Sequence, residues 1–178
     1  MYYDTKYGAT EKISKWISAE ISACKLEMRN IHEGMMDTGC DFYILGCPIY
    51  IGKPRTEMYQ FIAEHKLYMK DKPMFFFIVS WAQSTEYREE CNRFWDLVKY
   101  YLNPIEIVLS ASLPGSLVLE RLTDRDYSAL IRLLGRINQL SDEFQAGEME
   151  FVDNTDEKES RKFGKAINNW LQHSYHML

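Results

Sequence analysis

The stretch Met74–Ser80, MFFFIVS, is apolar at consecutive positions rather than at alternate ones. A strand of that kind has no polar face to turn to water. It belongs inside a sheet covered on both sides, which is the habit of parallel sheets. Pro73 precedes it and the small polar run Ser80–Thr85 follows it, so the segment is held to strand length.

The segments around it have helical period. Tyr87, Cys91, Phe94, Trp95, Val98 and Leu102 fall at i, i+4, i+7, i+8, i+11 and i+15, one stripe along a helix over Tyr87–Leu102 that Pro104 stops. Ile13, Trp16, Ile17 and Ile21 share a face of a helix over Ala9–Cys24, and Met58, Phe61, Ile62 and His65 share one over Thr56–Tyr68. Leu26–Ile31 and Phe42–Cys47 (FYILGC) read as strands, and another strand begins in Ile105–Leu109. Beyond Pro114-Gly115, Leu117, Leu119 and Leu122 lead to Asp124, placed to cap a helix carrying Tyr127, Leu130, Ile131, Leu134, Ile137 and Leu140. Phe151–Asn154 forms a polar-edged bridge to a last helix over Thr155–His173, with Phe163, Ile167, Trp170 and Leu171 inward.

This alternation predicts an α/β fold, a doubly wound parallel sheet between two helical layers. No repeat, low-complexity tract or linker divides the chain, so one domain over 1–178 is expected. In such a three-layer sandwich a ligand sits at the carboxyl ends of the strands where strand order reverses. Function is therefore sought in the loops after the first, third and fourth strands.

Composition removes other classes. The net charge of -5 and a pI near 5.4 argue against nucleic acid as a partner, because phosphate backbones need a basic surface. No apolar run approaches the roughly 18–20 residues that span a bilayer, so no transmembrane segment is expected. Without a charged start followed by an apolar stretch, no secretory signal is read and a cytoplasmic location is expected. Cys24, Cys40, Cys47 and Cys91 form no CxxC pair and are read as reduced thiols packing as small apolar residues; His173 and His176 belong to the tail, and no metal site is expected. There is no Ser-His-Asp arrangement and no pair of carboxylates for hydrolysis. Asp124 and Asp126 are read as a solvated helix start, and no catalytic residue is assigned.

The three loops have a common chemistry. Thr5-Lys6-Tyr7-Gly8-Ala9-Thr10 offers two hydroxyls, a glycine for close approach and the opening amides of a helix, which suits a phosphate. It is neither a Walker loop nor a Rossmann loop. Pro48-Ile49-Tyr50-Ile51-Gly52 and Trp81-Ala82-Gln83 each present an aromatic ring at the same sheet edge. A phosphate joined to a planar heterocycle would fill such a site, the rings contributing stacking.

At this point the sequence resembles a known family. MYYDTKYGATEKISKWI is similar to the flavodoxin FMN-binding signature, an aromatic followed by T-x-x-G-x-T and a helix. DFYILGCPIYIGKP resembles the D-x-V-I-I-G-S-P-I-Y-x-G stretch of the flavodoxin-domain subgroup that includes the menaquinone-dependent protoporphyrinogen oxidases. LPGSLVLERLTDRDYSALIRLLGRI resembles that subgroup's long insertion after the fifth strand, and GEMEFVDNTDEKESRKFGKAI its closing acidic turn and final helix.

The resemblance implies a flavodoxin-like five-stranded parallel sheet of order 2-1-3-4-5 with a helical insertion after strand 5. Its first strand is shortened, since only Met1–Asp4 precede Thr5. It implies FMN as cofactor. Thr5, Lys6, Gly8 and Thr10, with the amides of Tyr7 and Ala9, would hold the phosphate. Pro48, Ile49, Tyr50, Ile51 and Gly52 would flank the ring, Tyr50 foremost, and Trp81, Ala82 and Gln83 would cover another side; which ring face each takes stays open.

The first function implied is an FMN-dependent oxidoreductase acting on a small quinone- or porphyrinogen-type substrate. Leu117–Leu140 would then supply a substrate edge, a peripheral membrane contact or simply a helix packed on the sheet. Two alternatives stand beside it: an electron carrier that docks on a redox partner protein through its acidic surface, and a flavodoxin-like interaction module that has lost FMN.

Overall fold

Burial of MFFFIVS on both faces sets the architecture. In the computed structural model, which describes residues 1–85, 88–89, 91–137 and 153–174, all seven of these residues are buried in one strand. The elements in chain order are β1 (Tyr2–Tyr3), α1 (Ala9–Ser18), β2 (Arg29–Asn30), β3 (Tyr43–Tyr50), β4 (Lys53–Pro54), α2 (Thr56–Met69), β5 (Met74–Ser80), α3 (Cys91–Leu102), β6 (Ile107–Pro114), α4 (Asp124–Ile137) and α5 (Glu157–Ser174). The parallel strands run in the order β2-β1-β3-β5-β6, and β4 folds back antiparallel on the end of β3. Without β4 this is the predicted order 2-1-3-4-5.

Alternate side chains of the central strands feed two cores. Leu45, Cys47, Met74, Phe76 and Ile78 face α2 and α3, packing on Met58, Phe61, Ile62, Phe94, Val98 and Leu102. Ile44, Phe75, Phe77 and Val79 face α1 and α5, packing on Ile13, Ile17, Phe163, Ile167 and Leu171. Period 2 in the strands meets period 3.6 in the helices on both sides of one sheet.

Element ends differ from the periodicity for identifiable reasons. α1 stops at Ser18 rather than Cys24: the N–H groups of Glu20 and Ile21 turn back to Ile17 and Ser18, and those of Ser22 and Ala23 donate to Asn168 Oδ1 of α5 at 2.8 and 2.9 Å. The second strand is only Arg29–Asn30, because β1 offers it just Tyr2 and Tyr3 as partners. β6 starts at Ile107 because the Ile105 N–H closes the end of α3 on Leu102 O at 2.8 Å. α5 begins at Glu157, after Asp156 caps it by accepting from Glu159 N at 3.0 Å. Ahead of α5, Asp153 pairs antiparallel with Ser116. Tyr87, Leu140, Phe151 and His176 lie outside the described residues.

Two glycines permit the closest approaches. A Cβ on Gly46 of β3 would lie 2.3 Å from the Phe77 ring, and one on Gly164 of α5 would lie 2.5 Å from Ile17 O of α1. The second obstacle is backbone, which cannot swing aside. Gly164→Ala is therefore expected to destabilise the fold by about 1–3 kcal/mol. Gly135→Ala on the exposed side of α4, where a Cβ meets nothing within 4 Å, is expected to stabilise by about 0.5–1 kcal/mol. Urea denaturation of the two variants checks the contrast; equal effects would contradict the α1–α5 contact.

Candidate functional site

β1, β3 and β5 end at one edge of the sheet, and each passes into one of the three predicted loops. After β1, the Thr5 hydroxyl accepts from the Gly8 N–H at 3.0 Å, and Gly8 itself adopts φ 87, a left-handed conformation that favours glycine. α1 then starts with no side chain capping it. The first N–H groups of a helix lack partners inside it, and the dipole gives that end partial positive charge, so this turn suits an anion.

The second loop is a hairpin. β3 continues through Pro48 and Ile49 to Tyr50, and β4 returns with Ile49 opposite Pro54 and Tyr50 opposite Lys53. The two residues between have φ 50 at Ile51 and φ 73 at Gly52, the positive pair of a type I′ turn. Gly52 accepts this freely. Ile51, β-branched, is strained there. The third loop leaves β5 at Ser80, whose Oγ accepts from Ala82 N–H at 3.2 Å and starts a short 3₁₀ turn over Trp81–Ser84.

These loops enclose a cavity of about 360 Å³. Thr5, Lys6, Tyr7, Ala9, Thr10, Pro48, Ile49, Tyr50, Ile51, Gly52, Trp81 and Ala82 line it. Gly8 shapes the first loop and Gln83 sits in the 3₁₀ turn, but neither is part of the wall. Sequence reasoning named none of the other lining residues as part of the cofactor site, although it offered Leu117–Leu140 as a substrate edge. Arg55 follows the hairpin, Arg93, Phe94 and Leu97 come from α3, and Leu122, Asp126, Leu130 and Leu133 come from α4 and the turn before it. The available signal was the spacing of Asp126, Leu130 and Leu133, which share one face of a helix.

Asp126 corrects the expectation of a solvated helix start. Its side chain is 5% exposed and receives Lys6 Nζ at 2.5 Å and the Tyr7 hydroxyl. Lys6 also reaches Tyr50 Oη at 3.2 Å and lies 4.6 Å from the centre of the Tyr50 ring. Burial opposes the charge on Asp126, but hydrogen bonds from Lys6, Tyr50, Tyr7 and Thr123 outweigh it and hold the carboxyl well below the usual carboxylate range. Burial and the neighbouring Asp126 push the Tyr50 phenol up, so it stays protonated. The insertion helix is thus tied to the first loop by charge.

A second ionic group stands behind the wall. Asp4, fully buried at the end of β1, accepts from Arg55 Nη1 at 2.9 Å and lies 3.5 Å from His32 Nε2. Arg55 also pairs with Glu57. The second oxygen of Asp4 has no hydrogen-bond partner, and burial raises its pKa against the opposing pull of Arg55. Among the described residues no three His, Cys, Asp or Glu side chains are placed to hold a metal ion, and no helix is long and apolar enough to cross a membrane.

A doubly wound parallel sheet with a phosphate-suited turn and two aromatic loops at its carboxyl edge defines the flavodoxin-like class. The chain belongs to the flavodoxin domain family, which matches residues 1–123. No curated protein matches it in sequence. Among solved structures, it is similar to the two-electron reduced flavodoxin of Megasphaera elsdenii (19% identity over 63% of this chain and 85% of that one, TM-score 0.50). The WrbA-like flavodoxin of Agrobacterium tumefaciens aligns over 97% of this chain and 95% of that one, at 13% identity and TM-score 0.52. Rubredoxin oxygen:oxidoreductase of Desulfovibrio gigas aligns over 98% of this chain and 36% of its own, at 12% identity and TM-score 0.55. At these identities the likeness is one of fold.

Asp126→Asn is expected to loosen α4, with amide exchange in α4 rising about tenfold or more, as for loss of a charge-assisted bond worth about 1.5–3 kcal/mol. Because the native pKa of Asp126 is depressed, its contribution is complete above the ordinary value of 3.8 and fades only as pH falls below that toward the native value. Exchange in α4 that is unchanged by the substitution would contradict the tie. Ile51→Asn is expected to raise stability by about 1 kcal/mol in thermal unfolding, since asparagine tolerates the left-handed conformation.

Proposed function

We propose that the cavity is an FMN site and that the protein is an FMN-dependent oxidoreductase of the protoporphyrinogen-oxidase-like kind. One observation carries this reading. An uncapped helix start at Gly8–Thr10 opens into a mostly apolar cavity whose wall includes Tyr50 and Trp81. The donor set suits a phosphate monoester: the Thr5 and Thr10 hydroxyls, the Lys6 ammonium and the N–H groups of Tyr7, Ala9 and Thr10.

When bound, FMN supplies the redox chemistry, and the protein supplies binding, orientation and electrostatics. The first loop would fix the anionic end. Pro48–Gly52 would flank the ring, with Tyr50 as main contact, and Trp81, Ala82 and Gln83 would bound another side. Leu122, Leu130 and Leu133 of the α4 region line the same cavity, which favours a small apolar acceptor or donor of quinone or porphyrinogen type over a protein that must reach the ring directly. The net charge of -5 supports a second reading, an electron carrier steered to a protein partner. In that case exchange with the partner slows steeply as salt rises.

Titration of the apo protein with FMN tests the site. Saturable binding with quenched flavin fluorescence is expected, weakened about tenfold or more in Thr10→Val, which removes a hydroxyl from a charged acceptor without changing side-chain size. No binding by the parent protein would leave an interaction module in place of a flavoprotein. Turnover of a quinone or porphyrinogen by the loaded protein distinguishes the enzyme from the carrier.

A further inference from the structure

We infer that Arg55 is a redox-tuning cation of the cofactor cavity, fixed at its wall by the buried carboxylate of Asp4 and disposed to favour the two-electron-reduced, anionic form of the bound flavin. The inference rests on the reading of the cavity as an FMN site.

The argument begins with the charges on the wall. Among the described residues it carries Lys6, Arg55 and Arg93 and one carboxylate, Asp126. Lys6 and Asp126 touch at 2.5 Å and largely cancel. Arg55 differs, because both of its acidic partners lie off the wall. Asp4 is wholly buried, and Glu57 lines a separate cavity formed with His32, Gln60 and His65. The wall thus carries the cation of this ionic group and neither of its carboxylates.

Burial fixes this arrangement. The Arg55 side chain is 14% exposed, and its planar fork is held by Asp4 on one nitrogen and Glu57 on the other. Its position is also set by the backbone: Arg55 directly follows Pro54 of the hairpin and precedes the first residue of α2. A cation locked in a low-dielectric wall needs no reorganisation when charge develops beside it. FMN taking up two electrons and one proton becomes an anionic hydroquinone, one negative charge more than the oxidised ring. A fixed cation stabilises that product relative to the oxidised form, and at the effective dielectric of a protein site this is worth about an order of magnitude or more in equilibrium.

The experiment measures how much more tightly reduced FMN is bound than oxidised FMN, from the two-electron midpoint potential of the loaded protein against that of free FMN. Arg55→Met alone would leave Asp4 buried and unpaired, so the double variant Asp4→Asn/Arg55→Met is used. Its ratio of reduced to oxidised affinity is expected to fall at least about tenfold, equal to about 30 mV for a two-electron couple. Arg55→Lys, which keeps the charge, is expected to restore most of the ratio. Asp4→Asn alone, which keeps the cation and removes one of its two counter-charges, is expected to move the potential the opposite way and serves as the test if the double variant does not fold. A double variant that binds oxidised FMN with an unchanged ratio overturns the inference, as does an Asp4→Asn protein whose ratio stays the same or falls. A parent protein that binds no FMN overturns the cofactor reading instead, so the two failures are distinct.

Discussion

Every feature of this protein hangs on the double burial of β5. With water excluded from both faces of Met74–Ser80, the strand must be hydrogen-bonded on both edges and roofed on both sides. β3 and β6 supply the edges; α2 and α3 roof one face and α1 and α5 the other. Parallel pairing then sends every connection across a face, and the carboxyl ends of β1, β3 and β5 emerge together. The cavity is a consequence of that topology before any of its residues is considered. The strand order reverses between β1 and β3, where two neighbouring loops leave the sheet on opposite sides and open a crevice.

The crevice is closed by a further element. α4 follows the last strand, beyond the part of the chain that matches the flavodoxin domain, and brings Asp126, Leu130 and Leu133 over the crevice. Its attachment is chemically specific. Lys6 belongs to the loop suited to phosphate, Tyr50 to the hairpin, and both converge with Tyr7 on one α4 carboxylate. The position of the roof is thereby linked to the state of the two loops it covers. A ligand that draws Lys6 toward itself competes with Asp126, and one that leaves Lys6 in place is enclosed. Hydrophobic contact alone would give no such dependence, because it is non-directional.

Much of this was legible in the residues, and the boundary of legibility is physical. Layer assignment and the three loops follow from periodicity and from local turn chemistry, both of which are written in neighbouring positions, while the strand order was implied by the family resemblance. Features set by distant partners were not. Nothing near Cys24 indicates that α1 ends at Ser18, because the group that satisfies the chain beyond it is Asn168, far along the sequence. Asp126 resembles any acidic residue in the first turn of a helix, a favourable place for it on dipole grounds alone. Only the fold brings Lys6 and Tyr7 to it. The hairpin was half visible: Gly52 marked a turn, while the strained Ile51 beside it is not a residue that turn preference selects.

That strain and the buried ionic group at Asp4 belong to one mechanical unit. β4 is two residues long, and isolated pairing of this length has little stability of its own. It is held where it is by the next residue, Arg55, whose guanidinium is anchored to Asp4, directly after β1, and to Glu57 in α2. The anchor fixes the return arm of the hairpin, and the return arm fixes the turn in which Ile51 is forced into the left-handed region. A buried carboxylate with one unpartnered oxygen is costly, and an ion pair is weak justification for it on stability grounds. Its effect is positional. Asp4 lies one residue before Thr5, so the same side chain that holds Arg55 and the hairpin also begins the first loop. The two loops that would grip opposite ends of a nucleotide are registered against each other through a single carboxylate.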